Sequence, residues 1–88
     1  MADTSERTLP TIHLNGSSRQ RLVKDAQTAY SALNAALETL CAMRPHQRDY
    51  YVSPDTWAPA SEEHSRRIET VLQVRDEIAH WAVDVQNL

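Results

Sequence analysis

The sequence predicts an all-α protein: an antiparallel two-helix hairpin that dimerises into a four-helix bundle, with a short extended N-terminal segment. Three observations point there. Apolar residues recur at alternating steps of three and four in two long stretches, which places each set along one side of a helix. The chain holds one Gly and four Pro among 88 residues, too few turn formers for a fold of tight β-hairpins, and it is rich in the helix formers Ala, Leu, Glu, Gln and Arg. Finally, 88 residues bury limited apolar area, and chains this short often complete a core by association.

Residues 1–10 are polar, carry both charge signs and end at Pro10, the composition of a flexible tail. Residues 11–88 then make one domain. From Thr11 to Asn15 the pattern alternates, with Ile12 and Leu14 on one side, as an extended segment does; it either lies across the helices, the preferred reading, or pairs with its copy in a second subunit. Asn15-Gly16-Ser17 starts the first helix, with Ser17 placed to cap and Gln20 placed to complete a capping box. Leu22, Ala26, Ala29, Leu33, Ala36, Leu40 and Met43 keep the 4-3 spacing, and Val23, Tyr30 and Leu37 widen the stripe. This predicts a helix over 17–43, about 27 residues and roughly 40 Å long. The small Ala26, Ala29 and Ala36 admit close approach by the larger Val, Ile and Trp of the second helix. Cys41, the single cysteine, has no partner for an internal disulfide and is expected as a small buried hydrophobe.

Arg44-Pro45 ends that helix, because a residue before proline avoids the α region and Pro45 has no N–H for the ladder. The turn spans 44–52. Within it Asp49, Tyr50 and Tyr51 form a candidate partner-contacting loop, its two rings either packed under the hairpin tip or presented outward. Ser53-Pro54-Asp55 has the order of an N-cap, a proline at the first helical position and an acid in the first turn. A second helix is therefore expected over 53–87, with a kink or a separate first turn near Ala58 because Pro59 removes a ladder bond. Glu62 with Arg66, and Glu63 with Arg67, are favourable i,i+4 pairs.

The seam of the second helix is Val71, Val74, Ile78, Trp81, Val85 and Leu88, and Ile68, Leu72, Ala79 and Ala82 form a second apolar line beside it. Together they span roughly 200°, against the ≳100° of an ordinary amphipathic helix. One antiparallel neighbour cannot cover that arc. The seam is thus the expected interface, against a second copy of the chain or against an unidentified protein, with Trp81 as its largest anchor.

Nine basic and twelve acidic residues leave a net charge of −3, which argues against a general binder of nucleic-acid phosphates. The charge is uneven: residues 1–52 carry five acids and six bases, and residues 53–88 carry seven acids and three bases. Helix one of one subunit therefore attracts helix two of another. No apolar run approaches the ~20 residues of a membrane span, and the first ten residues lack the apolar stretch of a signal peptide, so a cytoplasmic location is expected. Glu69, Asp76, Glu77, His80 and Asp84 make the polar face of helix two acidic, which anionic lipid repels.

Little in the chain points to catalysis. His13, His46, His64 and His80 form no i,i+4 pair, no HExxH and no association with a CxxC motif, so no metal or other cofactor is expected and these are read as solvated or hydrogen-bonded histidines. A chain with one glycine has no glycine-rich phosphate loop, and no small-molecule substrate is expected. Arg75-Asp76-x-x-x-His80 resembles the R-x4-H signature of the small, dimeric, all-α HEPN ribonucleases; that resemblance implies Arg75 stabilising phosphate charge and His80 acting as acid or base across a dimer. Two facts weigh against it. Eight arginines and four histidines produce some R-x4-H pair by chance in roughly one such chain in three, and five residues turn about 140° on a straight helix, which aims the two side chains apart. Arg75 reads instead as a side chain snorkelling from the edge of the apolar arc toward an acid. The chain is expected to be a non-enzyme with no catalytic residue.

Thr11-Ile12-His13-Leu14-Asn15-Gly16 leading into a helix, Arg48-Asp49-Tyr50-Tyr51 in the turn and Glu63-His64 opening the second helix together resemble a group of small uncharacterised proteins encoded by tailed phages and prophages. The likeness covers about residues 11–80 and departs at Pro59, in a stretch those proteins keep helical. It implies a helical hairpin in a phage setting: an accessory protein that binds and modulates a host protein in the host cytoplasm or, alternatively, a minor structural or assembly component of the virion.

Overall fold

The computed structural model describes residues 8–12 and 18–88. It is all-α: α1 spans Arg19–Ala42 (24 residues) and α2 spans Trp57–Gln86 (30 residues), with 3₁₀ turns at Gln47–Tyr50 and Pro54–Thr56 between them and no strand among the described residues.

The helix ends follow from local chemistry, with two corrections to the expected boundaries. Ser18 caps α1: its backbone is extended, at φ −72° and ψ 155°, and its hydroxyl accepts from the Arg21 N–H at 3.1 Å. The cap is one residue later than expected and lacks its capping-box partner, because Arg21 rather than Gln20 stands three residues on. Ser17, with His13, Leu14, Asn15 and Gly16, lies outside the described residues. Met43 closes α1, its N–H donating to Thr39 O at 3.1 Å and Leu40 O at 3.3 Å, two residues before Pro45.

The second correction concerns Pro59. Because α2 begins at Trp57, Pro59 is its third residue, where a backbone N–H has no acceptor within the helix in any case. The proline therefore removes no ladder bond, and α2 is one continuous helix from Trp57 to Gln86. The separate first turn exists, but earlier, at Pro54–Thr56, where the Thr56 hydroxyl donates to Ser53 O at 2.6 Å. Both expected ion pairs form on the exposed side of α2, Arg66–Glu62 at 3.2 Å and Arg67–Glu63 at 4.0 Å.

The two helices run antiparallel as a hairpin of extents 63 × 29 × 14 Å. The shortest extent is little more than one helix diameter, so the molecule is a single layer. Its radius of gyration is 18.4 Å, whereas a compact domain of this length reaches about 12 Å. Inside the layer His64, Ile68, Val71, Arg75, Ile78, Ala82 and Val85 of α2 face Ala26, Tyr30, Leu33, Leu37 and Leu40 of α1, all buried or half-buried. The apolar side chains buried among the described residues are Ala26, Leu37, Ile68 and Val85.

This contact line rotates α1 away from the expected seam. Tyr30 and Leu37 turn inward, while Ala29, Ala36 and Met43 are exposed. Area explains the choice, since covering Tyr and Leu removes far more apolar surface from water than covering two alanines. The same rotation corrects the expectation for Cys41, which is exposed. At the N-terminal side, Leu9 and Pro10 are half-buried, as is Ile12, so the loose tail does not extend through Pro10. Among the described residues no helix is long and apolar enough to cross a membrane.

Candidate functional site

A one-layer hairpin has two broad faces, and here they differ in chemistry. One face collects residues at heptad steps along both helices: Leu22, Ala29 and Ala36 on α1 with Met43 at its C-cap, and Val74 and Trp81 on α2 with Leu88 just past its end. Heptad spacing keeps each set on one side of its helix, and Leu22 and Trp81 border the same groove, which puts both sets on the same side of the layer. That groove, of about 570 Å³, is walled by Leu22, Ala26, Ile78 and Trp81, with Asp25 and Glu77 at the rim and Thr8 beside it. Val74, Leu88 and Met43 are 44%, 45% and 62% exposed.

The opposite face is cross-tied by polar groups. Arg75 extends from α2 over α1, donating from Nη1 to Asn34 Oδ1 at 2.9 Å, with its guanidinium carbon 5.5 Å from the centre of the Tyr30 ring. Its Nη2 meets Asp76 Oδ1 at 3.1 Å. One arginine thus joins two residues of α1 and an acid of its own helix, the snorkelling arrangement expected of it. Shallow grooves of about 310 and 780 Å³ flank this tie, the first along Val23, Tyr30, Ala79 and Val83, the second along Leu37, Cys41, Arg44 and Leu72. Arg75 is half-buried against α1 while His80 is exposed, so the two residues of the R-x4-H pattern are not brought together within the chain.

At the turn end, His64 is 1% exposed. Its Nε2 lies 2.6 Å from the Leu40 carbonyl oxygen and its Nδ1 lies 3.3 Å from Arg67 Nη1. A carbonyl only accepts and a guanidinium only donates, so the proton sits on Nε2 and the Nδ1 lone pair receives Arg67. Leu40 is in the last turn of α1, where its carbonyl receives the Met43 N–H at 3.3 Å but no i+4 helical donor; a side chain of α2 therefore adds a second donor to the cap of α1. The sequence carried a signal for this, since His64 stands four residues before Ile68 and extends the same inward line. Nearby, the Trp57 indole N–H is buried with no hydrogen-bond partner in the protein.

The six residues of the expected interface part company. Val85 is fully buried inside the hairpin, at 0% exposure, so it belongs to the chain's own core. Val71 and Ile78 are half-buried on the inward line of α2, Trp81 is half-buried at the margin, and Val74 and Leu88 are open. The turn residues divide as well: Tyr50 packs half-buried, Asp49 is exposed, and Tyr51 and Val52 are 78% and 79% exposed. His46 is exposed, and its Nδ1 accepts the Arg48 N–H at 3.2 Å. Among the described residues no three His, Cys, Asp or Glu side chains gather as a metal site.

No known protein family, characterised protein or solved structure matches the chain.

Proposed function

We propose that this chain is a non-enzymatic helical interaction module that completes its core on another protein, first by pairing two hairpins into a four-helix bundle. One observation carries the reading. The hairpin is a single layer of two helices, and one of its broad faces carries Leu22, Val74 and Trp81, with Val74 44% exposed and Trp81 half-buried, an apolar strip of the kind that marks contact surfaces. The TIHLNG, RDYY and EH motifs add a setting: an accessory protein of a phage that binds and modulates a host protein in the host cytoplasm.

Sedimentation of the purified chain across the micromolar range tests this. The expected result is a discrete particle of twice the 10.0 kDa chain mass. A monomer with solvent-exposed Trp81 fluorescence would exclude homodimerisation and leave the strip as a dock for an unlike protein. A chain that orders only in very large assemblies would favour the virion component instead.

A further inference from the structure

We infer that the groove between Leu22 and Trp81 docks a basic amphipathic helix of an unlike protein, with its apolar side on the groove walls and its Lys or Arg side chains over Asp25 and Glu77. This rests on the reading above that the chain completes its core on another protein, and it names the chemistry of that partner.

The walls of the groove are apolar and the charges at its rim have one sign. Leu22 and Ala26 of α1 and Ile78 and Trp81 of α2 line a space of about 570 Å³, which Asp25 borders from α1 and Glu77 from α2. Both carboxylates are on exposed residues, and among the described residues neither has a hydrogen-bond or ion-pair partner. Several of the chain's own cations are engaged elsewhere. Arg19 donates to the Leu88 carbonyl, Arg66 and Arg67 pair with Glu62 and Glu63, and Arg75 is tied to Asn34 and Asp76. Arg21 and Lys24 precede Asp25 on α1 but do not line the groove.

An apolar slot between two carboxylates selects its occupant. The walls gain energy from any apolar side chain that excludes water. The rim discriminates, because two like charges repel an acidic neighbour and attract a basic one, and such complementarity sets specificity and encounter rate. A second copy carries the same two acids beside its own groove, so it competes for Trp81 without answering the rim. A helix with apolar anchors at steps of three and four and Lys or Arg beside them answers both walls and rim. A free small molecule fits less well, since the layer is only 14 Å thick and small-ligand sites enclose most of their ligand.

A Trp57→Phe background tests this. It leaves Trp81 as the one tryptophan of the chain and removes an indole N–H that has no partner within the protein. The probe is a synthetic amphipathic helix of Leu and Lys, with a counterpart of Leu and Glu. The Lys peptide should shift Trp81 emission to the blue, and the Glu peptide should bind far more weakly. Asp25→Asn with Glu77→Gln should weaken the Lys peptide about tenfold and flatten its salt dependence. Glu38→Gln with Glu69→Gln removes the same charge from the two helices away from the groove, and should weaken it by less than about twofold. Equal weakening by both double variants, or none by either, would overturn the site, as would binding that leaves Trp81 emission unmoved. Equal binding of the two peptides would overturn the basic occupant. Sedimentation separates this from the reading on which it rests: a dimer that binds neither peptide keeps the interaction module and removes the basic partner, whereas a monomer that binds neither removes both.

Discussion

The two broad faces of this hairpin are built on the same two helices, yet one is cross-tied by Arg75 between grooves that expose Val83, and the other carries the strip through Val74 and Trp81 with Asp25 and Glu77 at its rim. On the tied face, Arg75 reaches from α2 to Asn34 and Tyr30 of α1, and a contact of fixed direction holds the helices in one relative rotation. On the apolar face, Leu22, Val74, Trp81 and Leu88 form a strip without hydrogen-bond direction, which contributes energy only when something excludes water from it. The difference teaches a division of labour: polar contacts within the chain specify the hairpin, and the apolar surplus is available for association.

The largest effect is expected on the apolar face. Trp81→Ala should cost about 3–5 kcal/mol of combined folding and association energy, and thermal melting should depend more steeply on protein concentration. Melts at several concentrations, paired with sedimentation, decide it. A variant that loses stability while keeping the wild-type mass would show that Trp81 works within its own hairpin, and the contrast between the faces would lose its main support.

The turn end should respond next, and without change of mass. His64→Leu removes one donor to the Leu40 carbonyl and strands the Arg67 contact, at a cost of about 1–3 kcal/mol. Amide exchange should accelerate at the end of α1, and His64→Gln, whose amide can still donate, should recover part of the loss. Unchanged exchange there would mean that the buried ring only fills space.

The tied face should show the smallest change. Arg75→Met keeps the apolar stem but removes the bond to Asn34 and the cation over Tyr30, worth together about 1 kcal/mol. Denaturant unfolding should register that loss while the sedimenting mass stays that of wild type. A variant that also dissociates would mean that both faces take part in association.

What the sequence determined by itself is local. The two helices, the stop before Pro45, the pairs Glu62–Arg66 and Glu63–Arg67, and Arg75 leaning toward an acid all depend on residues a few positions apart, and such chemistry is written in the order of the side chains. Three matters were decided by the tertiary structure. Pro59 was harmless because the α2 ladder starts two residues before it, after a 3₁₀ turn that competes locally with helix. His64 joined the cap because folding brought it beneath a carbonyl 24 residues away. The rotation of α1 was the least legible, since its apolar arc offers two adjacent lines, one through Ala29 and Ala36 and the other through Tyr30 and Leu37. Spacing fits both. Only packing against α2 weighs the area each would bury, and that competition turned Tyr30 and Leu37 inward, exposed Cys41, drew Val85 into the chain's own core and left Trp81 at the margin.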